Sequence, residues 1–146
     1  MSLINELKVK SNKAEDVKQE IIQEIKKYFD EYLDIGLEDV LRQNITDSEI
    51  RSRQKFLKVE FWEYRSGCST TSFYCAGKYW YNPENRDGYA SHRYKGIELR
   101  DISEEIGNYL TVRLQQRMCE LGFDVISREE KHTSMRLYNM HFYFGW

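Results

Sequence analysis

Between Asn12 and Gly36 apolar residues return at steps of three and four. Val17, Ile21, Ile25, Tyr28, Phe29, Tyr32 and Leu33 therefore share one face of a long helix. Asn12-Lys13-Ala14-Glu15 reads as a capping box at its start, and Gly36 as a left-handed stop at its end. LEDVLRQN, just beyond, predicts a shorter helix, and TDSEIRSRQ a helical turn. The period then drops to two. In KFLKVEFWEYR, Leu57, Val59 and Phe61 alternate with Lys58, Glu60 and Trp62, as in a strand buried on one face. SGCST supplies a turn and TSFYCAGKYWY resumes an aromatic strand, with Gly77 marking a bulge or a close backbone approach.

A helical period returns near Asp101. Ile102, Ile106, Leu110, Leu114, Met118 and Leu121 form a stripe, Glu104 completes an expected capping box, and Gly122 is the stop. The tail FDVISREEKHTSMRLYNMHFYFGW predicts a second hairpin turning around Glu129 to His132. Its last strand, Met135 to Phe144, is apolar on both faces, as a central strand is. The pattern predicts an α+β fold in a single domain, 1–146. Its antiparallel sheet has four or five strands from two hairpins, with the long N-terminal helix and a second long helix on one face.

Composition narrows the partners. A chain of 146 residues with 24 acidic and 22 basic groups has a net charge of −2, so no global field steers it to nucleic acid or membrane. The N-terminus turns charged within a few residues and no apolar run approaches bilayer length, so a cytoplasmic location is expected. There the three cysteines, Cys68, Cys75 and Cys119, are expected to be reduced.

The densest chemistry is YWYNPENRDGYASHRYKG, Tyr79 to Gly96. Rings that could stack lie among cations that could meet phosphate or carboxylate. Trp80, Arg86, His92, Arg93, Tyr94 and Lys95 are its candidate binding residues. The plainer reading is a strand end with packing rings, then a solvated turn. Arg113 and Arg117 are neighbours four apart on the second long helix, with Tyr109 one turn earlier. Like charges at that spacing repel mildly, a cost that Glu120, an acidic ligand or a partner chain could offset. Gly107, inside the same helix, costs roughly 1 kcal/mol against alanine, which close packing would explain.

Other motifs are weaker. RSGCSTTS crowds hydroxyls around a glycine but lacks a phosphate-loop pattern, and reads as a hairpin turn. Cys68 has no signature of a nucleophile around it. The cysteines and histidines do not fall at zinc-site spacings, so no metal and no cofactor is expected. Glu104-Glu105 and Glu129-Glu130 diverge as surface pairs. His141 reads as a hydrogen-bonded strand histidine, and the ring-rich C-terminus ending at Trp146 as a core or intersubunit contact.

The reading these residues favour is a small intracellular, non-catalytic binding protein, expected to recognise a protein partner or a small anionic ligand through the aromatic and basic loop. A homodimer is compatible with Trp146, the long first helix and the surplus of rings. The alternatives are a single-stranded nucleic-acid-binding protein, using the same loop with Arg113 and Arg117, and an enzyme acting on a phosphate-containing substrate with His92 or His132 as acid or base.

Overall fold

The computed structural model describes the backbone of residues 2–63, 71–75, 78–81, 93–94, 97–98, 100–130 and 136–146, and side chains at 2–59, 97–98, 100–130 and 138–146. The fold is α+β, with a long N-terminal helix, a second long helix and an antiparallel three-stranded sheet.

Helix α1 runs Leu3–Glu31. It begins nine residues before the expected capping box, because Ser2 caps it by accepting from the Asn5 amide at 3.2 Å. Nothing in LINELKVKS breaks a helix, so Asn12 and Glu15 lie inside it. Its far end also departs from expectation. Gly36 is not left-handed (φ −101°) and does not stop the chain. Residues Tyr32–Gly36 form one wide π turn, in which the Leu37 amide reaches back five residues to the Tyr32 carbonyl. Helix α2, Leu37–Asn44, then continues directly.

Helix α3, Asp47–Ser52, starts with a capping box from Thr46 and Glu49. Lys55 ties it to the next strand, donating to the Asn44 carbonyl at 3.0 Å and meeting Glu49 at 3.1 Å. Burial pushes the Glu49 carboxyl upward, but the Thr46 amide and Lys55 outweigh it and hold Glu49 below the ordinary value.

Strand β1 is Gln54–Glu63. Four further extended segments follow: β2, Thr71–Cys75; β3, Lys78–Tyr81; and the short pair β4, Arg93–Tyr94, with β5, Ile97–Glu98. Helix α4 covers Arg100–Glu120, one residue ahead of the expected start, with Asp101 in its first turn. It ends as expected. Gly122 takes φ +95°, its amide reaches Cys119, and the Phe123 amide reaches Met118, both at 3.0 Å.

Strands β6, Asp124–Glu130, and β7, Arg136–Gly145, complete the chain. The sheet runs β1-β7-β6, so β7 is central, as its two-sided apolar pattern predicts. The turn expected around Glu129 to His132 starts later than that, because Glu129 and Glu130 are still in β6, paired with His141 and Met140; residues 131–135 lie outside the described residues. The apolar stripe of α4 (Ile102, Ile106, Leu110, Leu114 and Met118) is buried against Leu57 and Val59 of β1 and Tyr138, Met140, Phe142 and Phe144 of β7. Ile21, Ile22, Ile25 and Phe29 of α1 join the same core beside α4. Each such side chain contributes about 1.5–3 kcal/mol by leaving water.

Gly107 faces Tyr138 so closely that a Cβ would enter the ring. The ring is itself held by a 2.5 Å hydrogen bond between its hydroxyl and Thr111 of α4. Close packing of α4 on β7 thus accounts for this helix glycine. Among the described residues no helix is long and apolar enough to cross a membrane.

Candidate functional site on the open sheet face

Among the described residues no helix packs on the second face of the sheet. Residues one step out of phase with the core, Phe56 and Lys58 on β1 and His141 and Tyr143 on β7, share that face. Register arranges them in two rows across three strands. Phe56 pairs with Tyr143, which pairs with Ser127; Lys58 pairs with His141, which pairs with Glu129. A bulge between Val125 and Ser127 restores Ser127 and Glu129 to this phase.

The rows enclose a depression of about 430 Å³, lined by Phe56, Ser127, Arg128, Glu129, His141 and Tyr143. That lies within the usual range for small-ligand sites. Its floor is aromatic. The Phe56 ring meets His141 edge-on at 5.1 Å and Tyr143 at 5.0 Å, and the Lys58 ammonium lies 5.6 Å from the Phe56 centroid. Tyr143 keeps 44% of its surface exposed, so the floor is accessible. Arg128 reaches away from it, donating to Gln115 of α4 at 3.3 Å.

Next along β7 on this face, Asn139 is only 2% exposed, and neither its amide nitrogen nor its amide oxygen has a hydrogen-bond partner. A primary amide without partners in a site that excludes solvent costs about 1–3 kcal/mol per group, and a buried water is the ordinary remedy.

The arrangement can hold a flat group over the rings and place a polar or anionic edge near Lys58 and His141. A smaller concavity of about 220 Å³ on α1, lined by Glu24, Lys27, Tyr28 and Glu31, has one ring and mixed charge.

Of the residues singled out from sequence, Arg86, His92 and Lys95 lie outside the described residues. So do Cys68 and His132. Trp80 falls in β3 and Arg93 and Tyr94 in β4, described as backbone only.

Arg113 and Arg117 are well placed, and their charge is met within the chain. Arg113 Nε donates to Asp30 Oδ1 at 2.9 Å, and Tyr109 donates to Oδ2 at 2.6 Å. Lys26 lies 4.7 Å from the Tyr109 ring centroid. Arg117 Nε donates to the Leu33 carbonyl at 3.1 Å, and its Nη1 meets Glu120 at 3.3 Å. The π turn explains the Leu33 contact: the Leu37 amide goes to Tyr32 instead of Leu33, which leaves that carbonyl for the arginine. Burial first, then the hydrogen bond to Asp30, push the Tyr109 phenol up to about 12. The hydrogen bond to Asp30 raises Arg113 above its ordinary value. The set forms a polar seam between α1 and α4, and Asp30 supplies the anion that the arginine pair calls for.

Trp146 also has partners at home. Its ring meets Phe123 edge-on at 5.8 Å and its amide donates to the Arg53 carbonyl. Cys119 carries an exposed free thiol. Among the described residues no three histidine, cysteine, aspartate or glutamate side chains gather as a metal site. Compared with known proteins, the chain matches no family model, no curated protein and no solved structure.

Sequence reasoning missed Phe56, Lys58, Ser127, Glu129 and Tyr143 as a group, and read His141 only as a strand residue. The available signal was the phase opposite to Leu57, Val59, Phe142 and Phe144. Turning that phase into a site needs the register between strands some 80 residues apart.

Proposed function

We propose that the chain is a cytoplasmic, non-catalytic binding protein, and that the open sheet face takes a small ligand carrying a planar ring and an anionic group. The observation that carries this reading is the ring-floored depression built by three neighbouring strands, with Lys58 and His141 in the row beside Phe56 and Tyr143. Aromatic faces stack on flat groups, and the Lys58 ammonium favours an acidic edge. Tyr79 to Gly96, with Trp80, Arg86, His92, Arg93, Tyr94 and Lys95, is the second element of the proposed site.

The finer architecture belongs to the same proposal. The sheet extends to five strands in the order β3-β2-β1-β7-β6, built from two hairpins. Pairing of Val59 with Cys75 through Glu63 with Thr71, and of Phe73 with Tyr81, supports it. Such a sheet makes β1 an interior strand and extends the open face on its far side.

A second reading, single-stranded nucleic acid, draws on the same platform, since rings on adjacent strands stack successive bases. The net charge of −2 weighs against it.

Calorimetry separates the readings. Adenosine monophosphate, adenosine, inorganic phosphate and a short oligodeoxynucleotide are titrated into the wild type and into Phe56→Ala and His141→Ala. Binding of the nucleotide above adenosine and phosphate alone, lost at least ~10-fold in both variants, is the expected result. Preference for the oligonucleotide with a steep salt dependence favours the second reading. No binding by any of the four defeats both.

A further inference from the structure

The first half of α1 stands apart from the body. Every residue from Ser2 to Asp16 is exposed, although the helix is continuous to Glu31. This overhang is ~21 Å long at 1.5 Å per residue. A helix of that length is marginal in water when nothing packs on it.

Leu3, Ile4, Leu7 and Ala14, with the small Ser11 between them, share one face that runs through the half-buried Val17 into Ile21, Ile22, Ile25 and Phe29 of the core, while Val9 falls on the opposite face. The core-forming face of α1 therefore continues about four turns past the core. There Leu3, Ile4 and Leu7 keep 67%, 60% and 48% of their surface exposed. The small side chains at 11 and 14 allow another helix close approach.

Charge selects the occupant and its direction. The overhang carries Glu6, Glu15 and Asp16 against Lys8, Lys10 and Lys13, so it is neutral overall, and two copies do not repel. Parallel pairing would set Lys10 beside its own copy in the seam. Antiparallel pairing with Leu3 opposite Ala14 sets Leu7 against the aliphatic stem of Lys10. It also places Glu6 beside Lys13, and two-fold symmetry makes each contact twice.

We propose that this overhang is a homodimerisation element, pairing antiparallel with the same segment of a second copy. The surface is small, so the dimer is weak, with a dissociation constant of micromolar order or higher.

Sedimentation equilibrium on the full chain over a wide concentration range tests this. The wild type is expected to shift from monomer to dimer. Leu3→Asp with Leu7→Asp is expected to weaken association at least ~100-fold. Both sites are exposed, and circular dichroism with thermal melting checks that the core is intact. Glu6→Lys alone and Lys13→Glu alone are each expected to weaken it roughly 3- to 10-fold, and the double exchange to restore it, because only the antiparallel register pairs these positions. A monomer at every concentration, a dimer indifferent to the leucine changes, or a double exchange that fails to restore association overturns the proposal.

Discussion

Residues 138, 140, 142 and 144 and residues 139, 141 and 143 belong to one ten-residue strand, β7, yet they meet different surroundings. The even set lies under α4, where Phe142 and Phe144 stack at 5.3 Å with no exposed surface. Among the described residues no helix packs on the odd set, which gathers rings, a histidine and cross-strand charges instead. The even face is packed for stability, whereas on the odd face Asn139 is buried, His141 half-buried and Tyr143 exposed. Substitutions should therefore separate folding from binding according to the parity of their position.

The largest effect is expected on the even face. Phe142→Ala should lose ~3–5 kcal/mol of unfolding free energy in urea, since it empties a fully buried ring site. A loss comparable to that of a surface change would break the comparison. Gly107→Ala follows at ~1–3 kcal/mol. Its new methyl meets the Tyr138 ring, and Thr111 restrains that ring from moving aside. Tyr138→Phe in the same background should recover little, whereas Tyr138→Ala should relieve the clash while opening a cavity of its own.

The polar seam comes next. Asp30→Ala should cost about 1 kcal/mol at neutral pH, because the carboxylate is partly exposed and its pairs are only partly desolvated. It also has a pH signature. The Tyr109 phenol sits at about 12 in the folded chain against an ordinary 10.0. Between those values the folded state keeps a proton that the unfolded state releases. The contribution is complete below pH 10 and falls as pH rises through about 12. Ultraviolet titration of the wild type against Tyr109→Phe should identify the late Tyr109 phenol, and that phenol should move lower in Asp30→Ala while the raised Tyr138 stays.

The smallest effect on stability belongs to the odd face. Tyr143→Ala should cost under ~1 kcal/mol, the scale of one exposed cross-strand ring pair, while weakening the ligand at least ~10-fold. A stability loss as large as that of Phe142→Ala would show that the open face is structural after all.

How much of this was legible follows the range of each interaction. The α4 stripe, the Gly122 stop, the α2 segment and the inward phase of Leu57 and Val59 are written in neighbouring residues, and periodicity found them. The start of α1 was misplaced because Asn12-Lys13-Ala14-Glu15 satisfies the capping pattern wherever it occurs, including inside a helix. Gly36 was misread because a π turn leaves no local mark. Asp30 was not connected to Arg113, which lies 83 residues further on. The open-face rows were invisible for the same reason. Phe56, Ser127 and Tyr143 become neighbours only through register, which the packing of the opposite face decides.

The central claim is that the odd face of β7 and its cross-strand neighbours form a binding site. Its most direct measurement is a proton–nitrogen correlation spectrum of the labelled chain during titration with adenosine monophosphate. The account predicts saturable shifts concentrated at the amides of Phe56, Lys58, Ser127, Glu129, His141 and Tyr143, with those of α1 and α4 unmoved. Shifts absent at these positions while the nucleotide binds elsewhere, or no saturable shift at all, would contradict it.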